Sequence, residues 1–589
     1  MNTQRSPEHL VEPLRRTLAW LMSLRDAQGR IWCPEHGLEH TGKSAGAAVL
    51  AARLARHDAP ERRAAHVGAA IEQGRRLVAN LRREGTSECH TFWPGRHDPF
   101  NSSNAVIDGG ACSDALAELA LELGSELSAD DARAFRDASV LHARTYLRYA
   151  ALDKGIPAQR AWGLSGLAAA WRVCGDEVLE NAALQAVGAL EGIQHPDGSF
   201  PYHPLEWGAE HAGASDVSSF YHSRIPGFTI FALEQLGRDP SRAPFAQGIG
   251  KAVDFLEALQ APDGTKCGLV EAKPWYWGAE YEVASHVFDV YTFARAWKHF
   301  GEPRFGRAAL RAFRAWCEHL SAAGVPRSHL PGPERKKSYQ CPVFWACHAE
   351  WIARVLPDLA ELEQRFPDTQ TNAVDGIDLS VRWYPDAQLA RLEDGAVLAW
   401  VRGARPAYNV HHGSPHGAGL IRAVSKRDRR ELVRRQRLAA DQEGEWSARA
   451  GTFALGRGLE HGAQAMRFSL WLMRNHARGR RFSAALGAPF DVLRRGVLEF
   501  ASSAVSSSFD ASPLVEVDAT GVSLRSRLCW RGGLAVPHSA LERRFELDGR
   551  GLLVHENVIA PGAVRALHYG WPERASERVN GDGLTYRLA

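Results

Sequence analysis

Twelve amphipathic segments with the 3.6-residue period of an α-helix follow one another before residue 356, and their arrangement in pairs sharply limits the folds open to this chain. Leu14, Leu18, Leu21 and Met22 mark one such face; Val253, Leu256 and Leu259 mark another. The pairs run 13–25 with 44–57, 62–83 with 108–123, 130–150 with 160–173, 178–194 with 225–237, 243–260 with 283–299, and 303–321 with 342–355. Two first members end on the same turn, Gln194-His-Pro-Asp197-Gly198 and Gln260-Ala-Pro-Asp263-Gly264, and Arg25-Asp-Ala-Gln-Gly29 is a degenerate copy. Glycine closing a helical run is a stop signal. Six consecutive helical hairpins predict an α/α toroid, with the second member of each pair in an inner layer. The loops entering those second members then surround one mouth of the ring.

The texture changes near residue 370. Gln388–Leu392 and Val397–Val401 flank Glu393-Asp394-Gly395, Arg544–Leu547 and Leu552–Val554 flank Asp548-Gly549, and Val515–Val517 and Val522–Leu528 flank 518–521. Short apolar runs around such turns read as β-hairpins. The expected fold is therefore α+β and multidomain: an N-terminal (α/α)6 toroid over 1–360, a linker over 361–372 marked by Pro367, and a C-terminal antiparallel β-sandwich over 373–589. A length of 589 residues agrees with two or three domains.

Lys and Arg number 71 against 68 acids, a balance of +3 that gives no argument for nucleic acid. Eighteen Trp stand out, suited either to stacking on sugar rings or to filling a helical core. Nine Cys without paired spacing read as buried thiols, not a disulfide or zinc framework. Met1–Trp20 carries Arg5, Glu8, Glu12, Arg15 and Arg16 and no signal-peptide core, and no later run reaches transmembrane length. The expectation is a soluble cytoplasmic protein as written, or a periplasmic or secreted one if a leader has been removed.

The loops entering the inner helices hold His40, Lys43, His97, Asn101, Asn104, Asp108, Arg160, Trp162, Tyr221, His222, Arg224, Trp275, Tyr276, Trp277, Glu280, Tyr281, Glu282, His286, Arg335, Lys336, Lys337, Tyr339 and Gln340. The densest is Ser218-Ser-Phe-Tyr-His-Ser-Arg-Ile-Pro226, at a helix start where free N–H groups favour an anion. Asn and Ser over 98–108 are also ordinary helix-start residues. Trp275-Tyr-Trp-Gly-Ala-Glu-Tyr-Glu282 is a sugar-stacking platform or an aromatic plug. His411, His412 and His416 lie close in sequence, but no matching ligand set elsewhere singles out a metal site, and no cofactor is expected. Gly42-Lys-Ser-Ala-Gly46 fits a nucleophile elbow only in pattern, because it follows a loop and not a strand.

A helical toroid followed by a β-sandwich, with Asn, His, Tyr and Arg at the mouth, resembles the α/α-toroid polysaccharide lyases, including the heparinase II/III-like group. The resemblance covers most of the chain as architecture. It implies β-elimination on a uronic-acid-containing, anionic polysaccharide, with no nucleic acid or membrane partner. Residue by residue it implies Asn104 as the group that neutralises the uronate carboxylate, Tyr221 and His222 as the base and acid, and Arg224 as a carboxylate clamp. His412 is the contribution of the sandwich, and Tyr281 is counted with the same catalytic set. Lys43, Asn101, Arg160, Trp162, Trp275, Tyr276, Trp277, Glu282, His286 and Tyr339 are the expected substrate contacts. A glycoside hydrolase using two of Asp108, Asp216, Glu280 and Glu282 is the alternative, as are a uronate C5-epimerase and a carbohydrate-binding toroid without catalysis.

Overall fold

The structure is a computed structural model that describes residues 7–34, 38–39, 41–82, 88–89, 103–202, 217–269, 271–272, 285–327, 342–367, 379–404, 412–413, 417–434, 443–450, 503–530, 534–562, 564–580 and 583–589. Its N-terminal part is helical, in the predicted pairs. The first members are Glu8–Ser23, Pro60–Ala79, Ala129–His142 (continued by a π turn and Arg148–Asp153), Glu177–Glu191, Ala246–Ala258 and Pro303–Glu318. The second members are Thr41–Ala55, Ser103–Glu122, Pro157–Cys174, Ile225–Gln235 (preceded by Ser219–His222), His286–Phe300, and Pro342–Cys347 with Glu350–Ala353. Each second member touches the next, and Glu350–Ala353 returns to Thr41–Ala55, so their contacts close a ring.

Small residues let these inner helices approach backbone to backbone. A methyl placed on Gly110 would stand 2.2 Å from the Trp162 carbonyl oxygen, one on Gly166 2.5 Å from the Gly110 carbonyl oxygen, and one on Gly46 2.1 Å from the Cys347 carbonyl oxygen. Gly110→Ala is therefore expected to overpack the ring by about 1–3 kcal/mol. Urea unfolding should show this as a lower midpoint at an unchanged slope.

The turn repeat read from the sequence locks the first members to one another. Gly29, Gly198 and Gly264 take φ of +74°, +90° and +86°, and Gly324, in the sixth hairpin, takes +79°. A side chain there would also strike the neighbouring first-layer helix: Gly198 lies against Lys251, Gly264 against Arg311, and Gly324 against Arg16 and Thr17 of the first hairpin. Thr17 Oγ1 donates to the Gly324 carbonyl at 2.9 Å, fastening the last hairpin to the first.

Among the described residues the C-terminal part holds three antiparallel sheets of four or more strands. Strands 431–434, 419–425, 397–402, 389–393 and 380–384 form one; 529–530, 504–506, 446–450 and 564–569 a second; 514–517, 521–526, 540–547, 552–559, 584–588 and 576–580 a third. The three expected hairpins are present in register, with Glu393 opposite Leu398, Val517 opposite Val522, and Leu547 opposite Leu552. The five- and six-stranded sheets share one apolar core through Leu392, Val401, Leu420, Phe545, Val554 and Tyr586. Strands 397–402 and 419–425 are buried along their whole length because the opposite face of the five-stranded sheet packs on the helices, with Trp400 and Ile421 against Phe255 and Leu259. The repeated turns are the polar anchors of that contact: the Asp197 carboxylate accepts from the Asp386 and Ala387 amides, and Arg422 reaches Asp263 and Thr265.

The expected linker is corrected at its start. Leu356–Arg365 is a helix, because Leu359 and Leu362 make an apolar stripe that packs on Pro303–Glu318. Residues 368–378 lie outside the described residues. Among the described residues no helix is long and apolar enough to cross a membrane, and no disulfide joins any two of Cys33, Cys112, Cys174, Cys267, Cys317, Cys347 and Cys529.

Candidate functional site

The inner helices run parallel, which separates the ring into two chemically different ends. Near their N-termini Gly42 meets Asp108, Val106 meets Gly163, Gly227 meets Thr292, and Trp162 packs on Phe228, Phe288 and His348. Near their C-termini Arg354 pairs with Asp114, Arg53 with Glu118, and Arg295 with Glu234. That second end is closed by a buried ion-pair network. Below the first end the ring is filled by aromatic rings, with Trp351 against Phe228, Phe231 and Tyr291. The N-terminal end is thus the candidate mouth, where parallel helix termini present a positive potential.

Tyr221 and Arg224 stand at this end. Ser218 caps the short helix Ser219–His222 by accepting from the Tyr221 amide at 3.3 Å, and Pro226 opens the next helix. Tyr221 is half-buried, with its ring 5.2 Å from Tyr202 and 5.5 Å from the Arg224 guanidinium carbon. Arg224 itself is only 2% exposed. Its guanidinium donates to the Phe220 carbonyl at 2.6 Å and lies 4.1 Å from the Phe220 ring centre, 4.8 Å from Phe288 and 5.7 Å from Trp345. The expected open carboxylate clamp is corrected: burial on this scale makes Arg224 a fixed cation behind Tyr221.

His222 is also corrected. Consecutive helical residues diverge by about 100°, and His222 turns into the layer between inner and outer helices. Its Nε2 contacts the Ala252 carbonyl at 2.9 Å, between Phe200 and Phe255. Burial holds its pKa down to about 4, so the ring is neutral near pH 7. A folded-state value below the ordinary 6.5 means its stabilising effect is present above 6.5 and lost as pH falls through about 4. His222→Phe is expected to keep turnover and to flatten the acid limb of a thermal-stability profile; loss of turnover in a folded variant would return His222 to the chemistry.

Two further expectations meet structural roles. Arg160 is 2% exposed and donates to the Gly155, Leu152 and Asp153 carbonyls, clamping the end of the preceding helix. Trp162 is 3% exposed inside the aromatic fill. His286 is fully buried, its Nε2 3.0 Å from the Gly264 carbonyl, so it braces a first-layer turn. Asn101, Trp275, Tyr276, Trp277, Tyr281, Glu282 and Tyr339 lie outside the described residues, as do the side chains of Lys43, Asn104 and His412. The backbone places Lys43 and Asn104 in the first turns of inner helices. His412 pairs with Ala272, joining the sheet region to the loop before the fifth inner helix.

The sequence reading missed Lys266 and Asp289. Lys266 Nζ lies 2.8 Å from Asp289 Oδ2 and donates to Ser285 Oγ at 2.6 Å, with both charged side chains buried. Burial raises the Asp289 carboxyl, with Lys266 and then Arg224 opposing. An acid within the apolar run Val287-Phe-Asp-Val-Tyr291 was the available signal, since a charge on a helix buried all round needs a partner. Among the described residues no cluster of His, Cys, Asp and Glu is arranged to hold a metal. Of the carboxylates considered for hydrolysis, Asp108 is fully buried at the mouth end, and Asp216, Glu280 and Glu282 lie outside the described residues.

No family model and no curated protein matches the chain. Solved structures align with it at low identity. A cellobiose 2-epimerase from Spirochaeta thermophila is 13% identical over 59% of this chain and 97% of its own, with a TM-score of 0.42. A family 88 glycosyl hydrolase from Bacteroides vulgatus is 11% identical over 60% and 99%, with a TM-score of 0.41. A polysaccharide lyase is 10% identical over 59% and 98%, with a TM-score of 0.42. Alignments at this level carry no inference about chemistry.

Proposed function

We propose that the chain is a polysaccharide lyase, an (α/α)6 toroid followed by a β-sandwich, that cleaves a uronic-acid-containing polysaccharide by β-elimination. The observation that carries this reading is the Tyr221–Arg224 pair, a half-buried phenol backed by a buried guanidinium at the mouth where the inner helices begin. A nearby cation favours the ionised form of a phenol, the form that removes a proton. In the step proposed, the Tyr221 oxygen takes the C5 proton, the C–H electrons form the C4–C5 double bond, and the C4–O bond breaks. The leaving oxygen then takes up a proton, which Tyr221, protonated in the first part of the step, can return to it. Charge that develops on the uronate carboxylate is met by the positive mouth and by Asn104, the proposed neutraliser; a preorganised donor of this kind is worth roughly 10² to 10³ in rate. Tyr281 and His412 are the proposed remaining catalytic groups, and Trp275, Tyr276 and Trp277 the stacking platform.

Incubation with a panel of uronate and neutral polysaccharides, followed by absorbance near the ultraviolet edge, tests the reading. A rise with uronate substrates alone is expected. Chain cleavage with no absorbance change would favour a hydrolase, for which Asp108 is the described candidate.

A further inference from the structure

Tyr221 and Arg224 stand on a segment that cannot hold its own shape. Ser219–His222 is a single helical turn. A first turn fixes several backbone angles for one hydrogen bond, so a helix this short takes its place from what surrounds it. Two strips of chain flank it. On one side Pro201 pairs with Val217 in a β-bridge, Phe200 lies 5.7 Å from the His222 ring, and Tyr202 lies 5.2 Å from Tyr221. On the other side Ser219 Oγ accepts from the Leu269 amide at 3.3 Å, and Lys266 pairs with Asp289 of the fifth inner helix at 2.8 Å.

Each strip continues one of the repeated turns, and the five-stranded sheet holds both turns. With one oxygen the Asp197 carboxylate accepts from the Ser199 amide and hydroxyl. With the other it accepts from the Asp386 and Ala387 amides, in the turn between strands 380–384 and 389–393, at 2.9 and 3.1 Å. Arg422, fully buried in strand 419–425, donates to the Thr265 hydroxyl at 2.7 Å and to the Lys266 carbonyl at 3.1 Å. Between these two anchors the same sheet shares an apolar core with the segment through Val217, Trp400 and Ile421. Tyr384 of the sheet packs on Phe255, which packs in turn on His222.

We propose that Asp197 and Arg422 are positioning residues for the mouth: through the two turns, the sheet region fixes where the Tyr221 hydroxyl stands. The inference rests on Tyr221 as the acting group. Arg422 is sealed from solvent and Asp197 is engaged by the sheet, so both should govern kcat and leave KM in place. Misplacing a reacting group by about 1 Å can cost about 10²-fold in rate. Hydrogen–deuterium exchange of the full chain, read by mass spectrometry, and steady-state kinetics test this in Asp197→Asn and Arg422→Met. Asn keeps one acceptor oxygen, which can serve Ser199 or the sheet amides but not both. In each variant the amides of 217–224 are expected to exchange about tenfold faster or more, and those of 350–359, at the closed end, at the parent rate. With this, kcat should fall by about tenfold or more while KM stays within about twofold. Arg422→Met also strips a counter-charge from Glu431; should it not fold, Asp197→Asn, at a half-buried position, decides the question. Exchange needs no substrate, so its outcome is separate from that of the elimination reading, which product analysis tests. Unchanged exchange over 217–224, an equal rise over 350–359, or faster exchange with parental kcat overturns the proposal.

Discussion

Tyr221→Phe is expected to lower kcat by roughly 10² or more while KM stays within about twofold. The substitution keeps the ring that packs on Tyr202 and Phe220 and removes only the hydroxyl. Ground-state binding is left in place, whereas proton transfer loses its acceptor. Arg224→Met should also reduce kcat strongly, but through Tyr221 and at some cost in stability, because the cation is buried among aromatic faces. Steady-state kinetics on both variants, with thermal melts alongside, separates the two contributions. A Tyr221→Phe enzyme with wild-type kcat would remove the residue from the mechanism.

The largest expected stability effect lies at the closed end of the ring. The Arg354 side chain is 3% exposed and pairs with Asp114 at 2.7 Å and Glu350 at 2.6 Å, with Glu118 at 3.9 Å. Removing it leaves buried carboxylates without their counter-charge, which typically costs about 3–5 kcal/mol. At about 2–4 °C per kcal/mol for a domain of this size, Arg354→Met should lower Tm by about 10 °C. Glu350 gives the same cluster a pH dependence. Burial pushes its carboxyl up to about 8, with Asp114 adding to the shift and Arg354 opposing it. The folded protein keeps a proton that the unfolded chain, with a carboxyl near 4.5, has released. The resulting stabilisation is complete below 4.5 and is lost as pH rises through about 8. Glu350→Gln is neutral at every pH, so it should be more stable than the parent above pH 8 and show a flatter melting profile across this range. A profile unchanged by the substitution would contradict this assignment.

Local signals in the sequence were strong where one residue type is required. Asp-Gly at the ends of first-layer helices and Asp548-Gly549 in a hairpin reported left-handed turns, since few residues fit that backbone shape, and Asp394-Gly395 reported a hairpin because the Asp394 carboxylate accepts from the Ala396 and Val397 amides. Helical period located the hairpins because one face of each first-layer helix meets solvent. The same signal is weak for the inner helices: Pro157–Cys174 and Ile225–Gln235 are buried over most of their surface, so polarity there does not mark a ligand face. Arg160 and His222 look like site residues in sequence for that reason, whereas one clamps three carbonyls and the other faces the outer layer. Lys266 and Asp289 were illegible as a pair because the turn that joins them in space depends on Arg422, a residue of the sheet region that holds the Lys266 carbonyl and the Thr265 hydroxyl.

Elimination, hydrolysis and epimerisation at a uronate differ in what water contributes, and this gives the most direct test of the proposed reaction. The chain should be incubated with its best uronate substrate in ¹⁸O-labelled water and the products weighed by mass spectrometry. β-Elimination adds no water: the two product masses should sum to that of the substrate, the new non-reducing end should be unsaturated, and cleavage should introduce no label. Products that together are heavier by one labelled water would contradict the account, as would an uncleaved substrate that, in a parallel incubation in D2O, has only taken up deuterium at C5.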